Sequence, residues 1–211
     1  MQPSAAGAGS GTTQTDQPVF GGADKRFGIK TLRTGTTTTG YAGMYGINTF
    51  VNFGNLTDGD YVEFSTSLRI PTLSDATNRF TKYFGFTDQT TSTEAVDGAY
   101  FKYSDNLSGG DIQYVTSNNS TRTATSTGVT LVANTDYTLR VRVSNIGGTI
   151  SAAFYINGVE IAAGITANLP ITSSRTTSLG MYIGKSAGNT NRTMEVDWVY
   201  FEYKTSRNIT L

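Results

Sequence analysis

In 211 residues the sequence contains no cysteine and no histidine. Their absence removes disulfides, thiolate nucleophiles, thiolate metal sites, the imidazole base of a Ser-His-Asp triad and every imidazole metal ligand. Charge is scarce too, since only 15% of residues are Asp, Glu, Lys or Arg, and 16 basic residues balance 16 acidic ones. No uniform field draws such a chain to nucleic acid or to an anionic membrane, so neither is an expected partner. No run approaches the roughly 18 apolar residues of a membrane span. The first residues show neither the basic start nor the apolar stretch of a secretory signal, so synthesis in the cytoplasm is expected.

What is plentiful is Thr, Ser, Gly and Asn, together with 12 Tyr and 11 Phe. This balance favours short strands and many turns over helices. The length suits one β-rich domain. Residues 1–18, MQPSAAGAGSGTTQTDQP, hold almost nothing apolar larger than Ala. Alone in water they cannot offset their ordering entropy, so a flexible N-terminal arm is expected before a domain spanning 19–211. A neighbouring subunit in an assembly would hold such an arm.

From Phe20 onward, period-2 alternation recurs between turn signals. In YVEFSTSLRI, Val62, Phe64, Leu68 and Ile70 take one face while Tyr61, Glu63, Ser65, Ser67 and Arg69 take the other. DYTLRVRVS repeats the pattern with Tyr137, Leu139, Val141 and Val143. In ISAAFYINGVEI, Asn157-Gly158 supplies the positive φ angles of a type I′ hairpin turn. Further strands are expected at Arg26–Leu32, Tyr45–Phe53, Arg79–Phe86, Ala99–Tyr103, Ile112–Thr116, Val129–Val132, Leu179–Gly184 and Met194–Tyr203, with loops at Thr87–Asp97, Ser104–Asp111, Ser117–Thr127 and Ser186–Asn191. About a dozen short strands without a sustained helical period read as two packed antiparallel sheets, an all-β jelly-roll sandwich.

LTDGDYVEFSTSLRIP, then NTDYTLRVRVS leading into FYINGVEI, and finally SLGMYIGKSAGNTNRTMEVDWVYFEYK give a strand order that resembles the concanavalin A-like lectin and glucanase superfamily. The likeness is to its laminin-G-like form, common in bacteriophage structural proteins. The resemblance implies a concanavalin A-like fold and a non-enzymatic virion component: a capsid decoration or cement protein, a head fibre or a tail-associated protein. Such a homo-oligomer would be anchored to other virion proteins by its arm and would adhere to cell-surface polysaccharide. A carbohydrate-binding module or lectin is the alternative, and a glycoside hydrolase the third reading.

Hydrolases of the laminarinase and carrageenase kind carry a Glu-x-Asp-x-x-Glu or Glu-x-Asp-x-Glu strand. Glu195-Val196-Asp197 matches its first half, but positions 199 and 200 are Val199 and Tyr200. The next acid, Glu202, lies seven residues on, which is on the order of 23 Å along a strand, against about 5 Å for a retaining pair. One β-bulge would repair the facing but not the distance. No catalytic residue is therefore assigned. Glu195 and Asp197 are expected on a solvated face, with Met194, Val196, Trp198 and Tyr200 packed inward.

Asp58 and Asp60, and Asp105 with Asp111, are the only candidates for Ca²⁺. Neither stretch fits an EF-hand loop, and the same residues suit tight turns, so no cofactor is expected. For glycan binding, an aromatic ring stacks on a pyranose while amides and carboxylates fix its hydroxyls. Tyr41, Tyr100, Tyr114, Tyr155 and Tyr182, with Asn118 and Asn119, are the candidates. The sequons at Asn119 and Asn191 carry no meaning without secretion. Residues 34–46, rich in Thr and Gly, lack the lysine of a phosphate-binding loop.

Overall fold

A computed structural model describes residues 1–15, 29–46, 51–89, 91, 93–172 and 174–205. Among them fourteen strands form two seven-stranded antiparallel sheets with two single-turn 3₁₀ segments, and no helix is long and apolar enough to cross a membrane. In chain order the strands are β1 (Gln2–Ala6), β2 (Ser10–Thr15), β3 (Ile29–Thr34), β4 (Tyr41–Tyr45), β5 (Tyr61–Arg69), β6 (Phe80–Thr87), β7 (Gly98–Tyr103), β8 (Asp111–Asn118), β9 (Thr121–Thr130), β10 (Asp136–Ile146), β11 (Thr149–Ile156), β12 (Val159–Ile165), β13 (Ser178–Lys185) and β14 (Thr193–Lys204). The first sheet runs β1-β4-β13-β6-β7-β8-β9 and the second β12-β11-β10-β5-β14-β3-β2.

The alternation read from the sequence places the layers as expected. Val62, Phe64 and Leu68 of β5 are buried beside Tyr137, Leu139, Val141 and Val143 of β10. Rings from opposing sheets interdigitate: Phe64 meets Phe84 at 4.6 Å between centroids, and Phe101 meets Phe154 edge-on at 5.3 Å. Each fully buried Phe contributes about 2–3 kcal/mol, and a favourable ring pair about 1 kcal/mol more. Asn157 and Gly158 take φ of 52° and 80°, closing the β11–β12 hairpin as a type I′ turn requires.

Four expectations change. Residues 2–15 are not an arm outside the sandwich: β1 pairs with β4 along Gln2↔Tyr45 to Ala6↔Tyr41, and β2 pairs with β3 along Ser10↔Thr34 to Thr15↔Ile29. Backbone ladders, which need no apolar side chains, order this segment; its residues 16–18 lie outside those described. Ser117–Thr127 is not a loop but the closed end of the β8–β9 hairpin, turned by Asn119 and Ser120 at φ 52° and 66°. A strand is found at Tyr41–Tyr45, and Phe53–Asn55 is a 3₁₀ turn, where one strand was expected over Tyr45–Phe53; residues 47–50 of it lie outside those described. The expected strand start at Arg26 likewise falls outside them. Finally, β14 carries a bulge: its register on β5 passes from Val196↔Leu68 to Trp198↔Ser67, leaving Asp197 as the extra residue.

One inward position breaks the apolar pattern. Lys82 alternates with Phe80, Phe84 and Phe86 on the core side of β6 and is buried. It borders a small cavity of about 20 Å³ lined also by Leu68, Phe101, Ile112, Leu131 and Leu139. Burial pushes its ammonium well below the ordinary lysine range.

Candidate functional site

The bulge decides what the outer face of the second sheet presents. A period-2 strand that gains one residue exchanges its two faces beyond that point. Met194 and Val196 are therefore buried, whereas Trp198 and Tyr200, expected inward, stand outside opposite Ser67 and Ser65, 41% and 47% exposed. Phe201 turns towards the core instead. Two residues apart on one strand, the outward rings are about 7 Å from each other, a ledge fixed by the sheet beneath.

Beside this ledge lies a polar network. Glu63 on β5, its side chain 7% exposed, accepts a hydrogen bond from Arg142 Nε at 2.7 Å and lies 3.8 Å from Arg140. Each arginine also covers a tyrosine, Arg140 over Tyr155 at 3.7 Å and Arg142 over Tyr61 at 4.2 Å. Tyr155 donates to Glu160 at 2.9 Å, and Tyr200 to Glu202 at 3.0 Å. Hydrogen bonds from Tyr61 and Tyr200, followed by the charges of Arg142 and Lys204, hold the Glu202 carboxyl below its usual range. The Tyr61 phenol is raised, first by its bond to Glu202. The cations Arg140, Arg142 and Lys204 thus face the anions Glu63, Glu160 and Glu202, leaving the face close to neutral.

The bulge also brings Glu195 and Glu202 to one face, yet Glu195 sits opposite Arg69 and Glu202 opposite Glu63, six residues apart along β5. Arg69 lies 3.9 Å from Glu195 and 3.1 Å from Asp136. The carboxylate facing Glu202 is therefore Glu63, a cross-strand neighbour that sequence spacing could not reveal. A glycosidase general acid needs a carboxyl raised towards neutrality. Glu202 is shifted the other way, and Glu63 is covered by two guanidinium groups.

The remaining sequence candidates separate. Tyr155 belongs to the network just described. Tyr114 is on the inner side of β8, stacked on Phe154 at 5.1 Å. Tyr41, Tyr100 and Tyr182 share the outer face of the first sheet, where Tyr100 and Tyr182 are buried. Asn118 ends β8, and Asn119 is a turn residue whose N–H donates to Asp97. The four aspartates do not assemble a Ca²⁺ cage. Asp58 accepts from Gly147 N, Asp60 from Thr57 N and Oγ, Asp105 from Ser74 and Arg79, and Asp111 from Ser126 and Thr130. Each carboxylate is held by its own set of donors, and among the described residues no three acidic side chains converge. Trp198, Tyr200 and Tyr61 are the site residues that spacing alone missed. The only tryptophan of the chain, beside three carboxylates, was the available signal.

The chain belongs to the SO2946-like C-terminal domain family, whose sequence model matches residues 25–197. No curated protein matches the sequence. Among solved structures it is similar to the protein of unknown function SO2946 from Shewanella oneidensis MR-1, at 14% identity over 99% of this chain and 81% of that one, with TM-score 0.61. It is also similar to the Emp47p carbohydrate recognition domain, at 12% identity over 90% and 87%, TM-score 0.56. A third likeness is to the endo-β-1,4-glucuronan lyase of the fungus Trichoderma reesei, at 10% identity over 95% and 87%, TM-score 0.53. At such identities the likeness establishes the fold, a concanavalin A-like sandwich used by recognition domains and lyases alike.

Proposed function

We propose that this SO2946-like domain is a non-catalytic carbohydrate-binding β-sandwich, with the outer face of its second sheet as the contact surface. The observation that carries the reading is the outward ledge of Trp198 and Tyr200. Aromatic rings held rigidly on a sheet stack on pyranose faces with little ordering entropy, and the neighbouring hydroxyls and carboxylates of Tyr61, Ser67 and Glu202 take the sugar's polar edge. Because Arg140 and Arg142 both rest on Glu63 and the charge of Lys204 acts on Glu202, the expected ligand is a neutral glycan. The lectin-type structural neighbour supports the reading at the level of fold.

An array of neutral gluco-, manno- and galacto-oligosaccharides at millimolar concentration tests it. The wild type is expected to bind at least one series, and Trp198→Ala to lose about tenfold or more in affinity, since a stacked ring contributes over 1 kcal/mol. Wild-type protein that binds none of them sinks the proposal.

The setting we propose is a virion surface, where several copies would make weak adhesion effective. Residues 2–15 are spent within their own sandwich, so attachment to other virion proteins has to use the rest of the surface. A strictly monomeric state in sedimentation would remove the multivalency this setting needs.

The second reading is a glycoside hydrolase, whose one support is the cross-strand facing of Glu63 and Glu202, set against the lowered Glu202 carboxyl. Turnover of an oligosaccharide that disappears in Glu202→Gln would establish it in place of the first.

A further inference from the structure

The outer face of the first sheet is built differently. Tyr83, Tyr100 and Tyr182 lie there side by side, with Lys102 on β7 and Arg122 on β9 next to them. Glycines beneath make room for two of the rings: a methyl at Gly43 or Gly180 would overlap the Tyr182 ring, and one at Gly98 would press on Tyr100, while Tyr83 meets Tyr100 edge-on at 5.9 Å between centroids. Residues 93–97, just before β7, pack over this floor and place the Glu94 carboxylate on it. Glu94 Oε1 accepts from Lys102 Nζ at 2.8 Å and from Tyr100 Oη at 3.2 Å, and lies 3.6 Å from Arg122 Nε.

The three donors and the acceptor come from different kinds of structure. Tyr100, Lys102 and Arg122 are set by two strands of the sheet and hold their places whatever the segment does. Glu94 is set only by its own segment, whose single buried apolar group is Ala95, packed on Tyr100 and Val115. Its other ties gather next to β7, where Ser117 Oγ donates to Val96 O at 2.7 Å, Arg122 Nη2 to Ala95 O at 2.8 Å, Ser120 N to Val96 O at 2.9 Å, Asn119 N to Asp97 Oδ1 at 2.8 Å and Arg175 Nη1 to Asp97 Oδ2 at 2.9 Å, so that Glu94 lies at the less anchored end; further back, Tyr182 Oη donates to Gln89 O at 2.6 Å. Two cations and a phenol around one carboxylate form a fixed receptor, because charge-assisted donors held by a sheet need no reorganisation to bind an anion. Neither Lys102 nor Arg122 has a second carboxylate among the described ion pairs.

We propose that this face carries a carboxylate-binding site for a uronic acid residue of an acidic polysaccharide, and that Glu94 occupies it as an intramolecular plug. The sugar carboxylate replaces Glu94 on Lys102, Arg122 and Tyr100, residues 93–95 give way, and the pyranose settles beside Tyr83 and Tyr100. Plug and ligand compete for the same donors, so the apparent affinity of the wild type is reduced by the fraction of time the site is closed. The site stands apart from the Trp198 ledge and does not depend on it.

Calorimetric titration of the whole chain with oligomannuronate, and with neutral mannan oligosaccharides of equal length, tests the proposal in the wild type, Glu94→Gln, Lys102→Met and Trp198→Ala. Glu94→Gln is expected to bind the uronate about tenfold more tightly than the wild type, a 1.4 kcal/mol gain. Lys102→Met is expected to abolish that binding, and Trp198→Ala to leave it unchanged. Hydrogen exchange gives a second readout: residues 93–95 should exchange faster in Glu94→Gln, and the Tyr100–Lys102 strand should regain protection when oligomannuronate is added. Uronate binding that Glu94→Gln fails to improve overturns the plug. Binding lost in Trp198→Ala but kept in Lys102→Met moves the site to the other face, and no uronate binding by any folded variant removes it altogether.

Discussion

On the second sheet Arg140 and Arg142 settle on a glutamate of the sheet itself, whereas on the first Lys102 and Arg122 settle on a glutamate borne by a loop. In the first case donor and acceptor are both fixed by ladders, and separating them means breaking β5 from β10. In the second only the donors are fixed. The same ion-pair chemistry therefore makes one face a finished surface and the other an exchangeable one. The tyrosines follow suit, exposed beside the network on one side and pressed onto glycine under a cover on the other.

The largest way to break the comparison is to remove what both faces stand on. Phe64→Ala, which deletes the ring packed on Phe84, should cost about 3–5 kcal/mol in urea unfolding and weaken both faces together. A cost below about 1 kcal/mol would mean that the layers are not coupled through that ring.

A sharper contrast lies between the two glutamates. Arg142→Met should cost about 2 kcal/mol, below the range for a fully buried pair because Arg142 is about one-third exposed. Glu94→Gln should cost less than about 1 kcal/mol, as expected of a partly solvated pair. Equal costs would erase the distinction drawn between the faces.

Between the layers, Lys82→Met should stabilise the protein by about 1–2 kcal/mol, as replacing a buried charge by a hydrophobe of similar volume often does. Its folded-state pKa lies below the ordinary 10.5, so between the two values the unfolded chain binds the additional proton. Wild-type stability should then rise with pH as the folded-state value is passed and level off near 10.5, a slope that Lys82→Met would reduce. Above that, Tyr83, Tyr100 and Tyr182, whose phenols burial holds protonated, act in the opposite sense and stability falls. Melting temperatures of both proteins from pH 7 to 11 check the sign.

The smallest effect is expected on the ledge. Trp198→Ala should change stability by no more than about 0.5 kcal/mol while removing glycan binding. A larger loss of stability would make Trp198 a structural residue and the ledge an accident of packing.

Much of the sandwich was legible because its signals are local. The alternation in Tyr61–Ile70 and Asp136–Ser144 fixes which residues meet between the sheets, and Asn157-Gly158 fixes a turn. The β8–β9 hairpin was missed because its Ser, Thr and Asn side chains are those of a loop, and only pairing with a neighbouring strand makes them a ladder. The site was less legible for a related reason. A single inserted residue at Asp197 reverses the facing of everything after it, so the alternation that buried Trp198 and Tyr200 on paper is the one that exposes them in the fold. Cross-strand neighbours such as Glu63 and Glu202, or Lys102 and Glu94, are set by register and by the path of a loop, neither of which any spacing within one strand encodes.

At the flank where β1 and β2 lie, the chain hems both layers with one thread, crossing from the first to the second through Gly7 and Gly9 at φ 106° and 72°. Without it, β4 and β3 would offer rows of unanswered amide groups next to Met44 and Leu32, a template for strands from other copies. On the β4 side the thread ends the row in Gln-Pro-Ser-Ala-Ala, which leaves little apolar surface for a stranger to stack on. Shorn of residues 1–15, the molecule should clump. The poverty of side chains that reads as disorder is what keeps this border from fraying into aggregates.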